Sequence, residues 1–358
     1  MNFVKYNIDY SLVDKLKKFG INSPTEIQGL VIPKIKEKYN IIAESETGSG
    51  KTLSFLIPLI DGLIKNHHNT VLILAPTREL VLQISNEAKK LCKDFNLNVL
   101  PIYGGKDIKS QINKLNHKID IIIATPGRFI DHINRKTIDL SFIDVLVIDE
   151  ADQMLLMGFK NEVDFIESKT AQNKLTLLFS ATVNSKVKKM AYKYSDNFLY
   201  ISAKGKNNIP ELIEQEFIFT TDRNKFDDLC RIINRDNPFM AIIFCRTKSR
   251  VDNLEMKLSQ AGYNCDKIHS DISQAKRERI MKNFKDLKTQ FLISTDLSSR
   301  GIDISGITHI YNYDFPERAE DYIHRIGRTG RIGKEGKSCS FITKKNKNIY
   351  EEIQNLLT

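Results

Sequence analysis

Short, unbroken apolar runs that each stop at a small or polar residue punctuate this chain, and they limit its fold more than any other feature. Ile41-Ile42 leads into Ala43-Glu44-Ser45, and Val71-Leu72-Ile73-Leu74-Ala75 into Pro76-Thr77-Arg78. Ile121-Ile122-Ile123-Ala124 leads into Thr125-Pro126-Gly127-Arg128, Val145-Leu146-Val147-Ile148 into Asp149-Glu150, and residues 175–179 into Ser180-Ala181-Thr182. Continuous rather than alternating apolar residues predict strands covered on both faces, hence a parallel sheet flanked by helices. Between the runs lie amphipathic stretches such as 79–95, with Leu80, Ile84, Ala88 and Leu91 at helical spacing. Strand and helix alternate, so the class is α/β. The pattern returns at 241–245, 291–294 and 310–313, which predicts a second α/β unit. The small, polar and basic stretch 202–208, followed by Pro210, reads as a linker between lobes at about 1–203 and 212–358. Ligand groups in such sheets gather at the carboxyl ends of the strands, so the polar endings are expected along one edge of each lobe, the two edges forming a cleft if they face each other.

At 358 residues the chain has room for two domains. Its 41% hydrophobic and 27% charged residues exclude a collagen-like or mostly disordered chain. No apolar run reaches the ~18 residues of a membrane span, and the start, Met1 to Asn7, lacks the basic head and apolar core of a secretory signal. A net charge of +10 fits a polyanionic partner. The five cysteines have neither zinc-site nor redox spacing, so reduced thiols in a cytoplasmic protein are expected. The histidines, His67-His68 among them, show no metal-ligand spacing.

One run carries recognisable chemistry. Ser45-Glu46-Thr47-Gly48-Ser49-Gly50-Lys51-Thr52 follows a predicted strand and opens a predicted helix. It meets the phosphate-loop pattern GxxxxGK[ST] except that Ser45 stands at the first glycine. Glycines let backbone N–H groups turn toward an anion, and the helix amino end adds partial positive charge. Lys51 is placed to reach β and γ phosphates, and the Thr52 hydroxyl to hold magnesium. Asp149, at a later strand end, supplies a second metal anchor, and Glu150 beside it a group to orient and deprotonate a water.

Asp149-Glu150-Ala151-Asp152 spells the name motif of the DEAD-box RNA helicases, and the chain resembles that family almost end to end. Residues 20–28, ending in Gln28, resemble the Q motif, with Phe3 at the upstream aromatic position. Residues 76–80, Gly104-Gly105 and 125–128 resemble the RNA-contact motifs of the first lobe, and Ser180-Ala181-Thr182 the motif coupling hydrolysis to strand separation. Residues 274–277, 294–303 and 322–331 resemble the second-lobe motifs. The resemblance implies two tandem RecA-like domains of the P-loop NTPase type, with a Q-motif region at 1–29, an ATP-binding lobe at 30–203, a linker at 204–211 and a C-terminal lobe at 212–358. Ile21, Ser45, Val81, Gln153 and Ser298 depart from the usual family residues without removing a group that has a chemical task.

The activity implied is ATP hydrolysis, with Mg2+, in a monomer that takes RNA as its partner and unwinds short duplexes locally rather than processively. Gln28 is then expected to read adenine, with Phe3 packed near the base and Asp303 on the ribose. Arg325 and Arg328 act as arginine fingers that reach the γ-phosphate only on lobe closure, and His324, Ser180 and Thr182 transmit that closure. RNA contacts, mostly to the backbone and so nearly blind to sequence, fall to Thr77, Arg78, Gly105, Thr125, Arg128, Arg246 and Thr295. Two other readings stay open: an ATP-gated RNA clamp or annealing factor with little strand separation, and a non-catalytic scaffold that keeps the fold. Intact Lys51, Glu150 and Arg328 speak against the last.

Overall fold

The structure, a computed structural model, describes residues 3–45, 48–66, 70–203, 213–296, 306–330 and 335–357. Glu46, Thr47, His67-His68, the linker 204–211, Ser298, Asp303 and Arg331 lie outside the described residues. The chain divides into two compact units, Met1–Lys204 and Gly205–Thr358.

The first unit is built on seven strands: β1 (Asn40–Ser45), β2 (Thr70–Leu74), β3 (Val99–Ile102), β4 (Ile121–Ala124), β5 (Ile143–Ile148), β6 (Leu175–Ser180) and β7 (Phe198–Ala203). They form one sheet in the order β3-β4-β2-β5-β6-β1-β7, and every pairing is parallel. Helices cover both faces, which is why the apolar runs are unbroken. Val71 and Ile73 enter one core with Ile41 and Val147, while Leu72 and Leu74 enter the opposite core with Ile42 and Ile148.

The second unit repeats the scheme. Its strands are β8 (Ile213–Phe219), β9 (Ala241–Phe244), β10 (Cys265–Ile268), β11 (Phe291–Ser294), β12 (His309–Asn312) and β13 (Gly336–Ile342). They run parallel in the order β10-β11-β9-β12-β13-β8. Ile243 joins one core, and Ile242 and Phe244 the other.

Register aligns the strand ends of the first unit. Leu74 pairs with both Ala124 and Ile148, Ile148 with Leu178, and Glu44 with Ser180. The segments after β1, β6, β5, β2, β4 and β3 therefore emerge side by side along the carboxyl edge. Among the described residues no helix is long and apolar enough to cross a membrane.

Candidate nucleotide and nucleic-acid sites

The phosphate loop leaves β1 and returns as the helix Lys51–Ile64, capped by Gly50 in the left-handed region at φ 95. A side chain at Gly50 has no room as well as the wrong backbone: a Cβ there would lie 2.5 Å from Gln28 Nε2. That amide donates to the Gly50 carbonyl at 3.1 Å, while its Oε1 accepts from Thr25 N–H at 3.0 Å. Gln28 thus ties the start of its own helix, Glu26–Lys36, to the phosphate loop. An amide carries two N–H donors and two lone pairs, so these two bonds use one of each. Phe3 is buried, 1% exposed, and packs in the core with Ile8 and Leu12 rather than presenting an open ring face. Lys51 Nζ donates to the Ser45 carbonyl at 2.6 Å across the loop. Ser45 is fully buried, and its hydroxyl pairs with that of Ser49 at 2.6 Å, a brace that an alanine cannot make.

Two strands away, Asp149 immediately follows β5 and is 3% exposed. Its Oδ1 accepts from Glu150 N–H at 3.0 Å. Burial, then the neighbouring Glu150 carboxylate, pushes its carboxyl up to about 7, while Lys51 pulls the other way. A buried carboxyl so short of compensation, on the same sheet edge as the half-buried Thr52 hydroxyl, is a hard-oxygen donor set that fits a magnesium ion. Glu150 follows with φ 52 and ψ 52.

Between β1 and β5 lies β6, and its end is wired to the helix Ala151–Leu156 that follows Glu150. Asp152 Oδ2 accepts from Thr182 N–H at 3.2 Å and from the Thr182 hydroxyl at 3.0 Å. Ser180 Oγ donates to the Thr182 carbonyl at 2.7 Å and accepts from Asp152 N–H at 3.2 Å. Glu44, on β1, accepts from Val183 N–H at 2.7 Å and from the Tyr200 hydroxyl. Neither carboxylate has a motif spacing that marks its partner; each bond spans from 30 to 156 residues of sequence.

The other half of the same edge gathers the remaining first-lobe candidates. Arg78 opens a helix after β2, and Thr77 caps it by accepting from Leu80 N–H at 3.2 Å. The Arg78 guanidinium lies over Gly104, where an added Cβ would stand 3.2 Å from its Nη2. Gly105, in the next turn, has φ 86. Thr125 precedes the helix Pro126–Asn134, whose Arg128 donates to the Lys106 carbonyl at 3.1 Å. Thr77, Arg78, Gly105, Thr125 and Arg128 therefore belong to three consecutive strand ends.

In the second unit, Arg246 follows β9; its N–H donates to Asp314 at 3.0 Å and its exposed guanidinium reaches Glu317 at 3.2 Å. Asp314 also accepts from Arg250 and Lys225; these donors outweigh burial and hold it below the usual carboxylate range. Thr295, after β11, is half-buried. His324, Arg325 and Arg328 lie in and just after the helix Ala319–Ile326.

Arg325 is enclosed within this unit. Its guanidinium grips both oxygens of Asp296, at 2.5 and 2.7 Å, and donates to Asn312 Oδ1 and the Asp314 carbonyl, over the Phe244 ring. Four of its five N–H groups are spent inside this unit, and the residue is 4% exposed. Arg328 Nε donates to the His324 carbonyl at a long 3.3 Å.

The DEAD/DEAH box helicase family profile matches residues 25–190, and that of the helicase conserved C-terminal domain residues 224–333. The chain is 42% identical over 341 residues to the ATP-dependent RNA helicase CshA of Listeria monocytogenes, covering 95% of this chain and 66% of that protein. It is 41% identical over 355 residues to the DEAD-box ATP-dependent RNA helicase CshA of Bacillus subtilis, covering 99% of this chain and 72% of that protein. Among solved structures it is similar to S. cerevisiae Dbp5 bound to RNA and ADP BeF3, with TM-score 0.90 and 28% identity over 99% of this chain and 93% of that one. It is also similar to a DEAD box protein from Methanococcus jannaschii, with TM-score 0.58 and 39% identity over 100% of this chain and 97% of that one.

Proposed function

This chain belongs to the DEAD-box family of ATP-dependent RNA helicases, and on that premise we propose that it couples RNA-stimulated ATP hydrolysis to closure of its two lobes and to local, non-processive unwinding of short RNA duplexes. The observation that carries the reading is the division of one sheet edge. The ends of β1, β6 and β5 hold the phosphate chemistry, and those of β2, β4 and β3 hold the backbone-binding groups. Asp152 and Thr182 bridge the strand ends within the first half.

Gln28 and Phe3 serve the adenine end of ATP, Gln28 through its remaining donor and acceptor, and Phe3 as the packing beneath them. The amide pattern favours ATP over GTP. Residues 45–52 cradle the phosphates, with Lys51 leaving the Ser45 carbonyl for the β and γ oxygens. Thr52 and Asp149 would hold a magnesium ion, which would supply charge neutralisation at the phosphates. Glu150 orients the attacking water and accepts its proton. Arg328 brings positive charge to the γ-phosphate from the second lobe, a contribution worth about 10³–10⁵ in rate. Arg325 positions Arg328's helix, and Asp303 meets the ribose. Thr77, Arg78, Gly105, Thr125, Arg128, Arg246 and Thr295 take RNA through phosphate and 2′-OH groups, so sequence preference is weak and salt dependence steep. Ser180, Thr182 and His324 link the two events. We place the activity in a cytoplasmic monomer, where unpaired thiols such as Cys92 and Cys245 are stable.

A labelled short RNA duplex tests this directly. Displacement that needs ATP and a hydrolysable γ-phosphate for turnover is the expected outcome. Hydrolysis stimulated by RNA without any strand release would make the protein an ATP-gated clamp instead.

A further inference from the structure

Behind the RNA-facing half of the first sheet edge lies a chain of buried polar groups that neither nucleotide nor RNA chemistry uses. Tyr103, immediately before Gly104-Gly105, has its backbone carbonyl bonded to Gln111 Nε2 at 3.1 Å. Gln111 Oε1 stands 3.2 Å from His132 Nε2. His132 Nδ1 stands 2.9 Å from the Thr137 hydroxyl. His132 is fully buried and Gln111 is 5% exposed.

Proton positions in this chain follow from the chemistry of its ends. A carbonyl only accepts, so Gln111 must turn its NH₂ toward Tyr103 and its oxygen toward His132. That oxygen only accepts, so His132 Nε2 carries the proton. Nδ1 of the neutral ring then accepts the single Thr137 hydroxyl proton, for which the His132 carbonyl at 3.1 Å competes, while that carbonyl also accepts from Thr137 N–H. Burial, with Arg128 and Arg135 nearby, holds the imidazole below its ordinary value against the opposing pull of Asp131, which keeps it neutral.

The placement matters more than the bonds. His132 sits one turn after Arg128 on the helix Pro126–Asn134. Arg128 holds the Lys106 carbonyl from outside, at 3.1 Å. The His132–Gln111 pair holds the Tyr103 carbonyl from inside. One helix therefore grips the loop 103–106 on both sides of Gly104-Gly105. A core of apolar residues would fill the same space without fixing that height, whereas a chain of directional buried hydrogen bonds favours a single arrangement.

We infer that His132 and Gln111 are positioning residues for RNA: together they set the height of the Gly104-Gly105 loop against the helix that bears Thr125 and Arg128, so that both segments meet one RNA backbone in register. This rests on the RNA reading of those segments. Neither side chain touches RNA; each acts through the loop it holds.

The full-length chain carries the test. His132→Met keeps bulk and removes the ring donor. Gln111→Met breaks the same bond from the other side. His132→Gln returns an amide N–H near the position of Nε2. For each, the RNA concentration giving half-maximal ATPase, the ATP KM, kcat and Tm are measured. His132→Met should raise the RNA half-saturation roughly tenfold, the effect of one buried hydrogen bond, with the ATP KM within about twofold and His132→Gln recovering most of the loss. Gln111→Met should match it, and the double variant should be no worse than either single one. Equal shifts in the RNA and ATP constants, unchanged RNA half-saturation in a folded variant, no recovery with His132→Gln, or additive single effects would each overturn the positioning role. If His132→Met does not fold, Gln111→Met and His132→Gln decide the question by the same readouts. A wild-type control whose ATPase ignores RNA defeats the RNA reading itself, a failure distinct from these.

Discussion

Glu150 meets the helix Ala151–Leu156 with its backbone in the left-handed region, φ 52 and ψ 52, a conformation that costs a residue with a Cβ about 1–2 kcal/mol. Strain of this kind persists where the surroundings over-determine the chain, and it clusters at working sites. Asp149 on one side immediately follows β5, and Asp152 on the other is bonded to Thr182, so Glu150 is pinned between two fixed neighbours. Glu150→Gln keeps the shape and removes the base. ATP affinity should stay near wild type while single-turnover hydrolysis drops about 10²–10⁴-fold, leaving a long-lived complex on RNA. Nucleotide-binding titration beside a rapid-quench time course reads both, and rapid turnover in the variant would remove Glu150 from its role. The same scale separates the two arginines that look alike in sequence. Arg325 gives four of its five N–H groups to Asp296, Asn312 and the Asp314 carbonyl, and Arg328 Nε donates to the His324 carbonyl one turn back. Spacing on one helical face could not tell them apart; the acceptors that could are 11 to 29 residues away in sequence.

At the scale of elements, the N-terminal segment is stapled to the phosphate-loop helix through one buried carboxylate. Asp61, 2% exposed on the helix Lys51–Ile64, accepts from Asp9 N–H at 2.8 Å, Lys36 Nζ at 2.9 Å and Lys65 Nζ at 2.8 Å. Both lysines also donate to the Asn7 carbonyl. Burial alone would raise the Asp61 carboxyl, but these donors together hold it below its ordinary value. A depressed carboxylate contributes stability above its unfolded pKa, about 4, and loses it as pH falls through the folded value. Asp61→Asn should therefore cost about 2 kcal/mol at neutral pH, discounted for the partly exposed lysines, and the gap from wild type should close below about pH 4. Denaturant melts across that range check it; a gap that persists unchanged into acid would assign the loss to packing instead. This staple was not legible in sequence, since nothing in the spacing of Asn7, Asp9, Lys36, Asp61 and Lys65 marks them as neighbours. Eight of the nine interior strands were legible, because β1, β2, β4, β5, β6, β9, β11 and β12 have unbroken apolar runs or clear polar endings, whereas β13, between β12 and β8, reads Gly-Lys-Ser-Cys-Ser-Phe-Ile and was missed. The strands the pattern missed are mostly edges. β3 carries Pro101, β7 and β8 are mostly half-buried or exposed, and β10 reads Cys-Asp-Lys-Ile. An edge strand has one neighbour and one wet side, so its composition loses the signal that two-sided burial imposes.

For the whole molecule, the decisive property is that the chemistry is divided. Lys51, Asp149 and Glu150 belong to the unit Met1–Lys204, and Arg328 to the unit Gly205–Thr358. The candidate RNA groups are divided in the same way, with Arg78 and Arg128 in one unit and Arg246 and Thr295 in the other. On the proposed assignment each ligand would have part of its binding surface on each unit, and each would favour an arrangement that brings its two parts together. Ligands that stabilise the same arrangement must strengthen each other's binding, by linkage, by the same factor in both directions. A non-hydrolysable ATP analogue should therefore tighten RNA, and RNA should tighten the analogue equally, with coupling of about 1–3 kcal/mol. Small-angle scattering should show a smaller radius of gyration with both ligands present than with either alone. Arg328→Ala should weaken that compaction while leaving nucleotide affinity in the absence of RNA nearly unchanged, because Lys51 and the phosphate loop sit wholly in the first unit. Two ligands that bind independently, or a radius indifferent to their joint presence, would mean that each unit works alone and that hydrolysis has no mechanical route to the duplex.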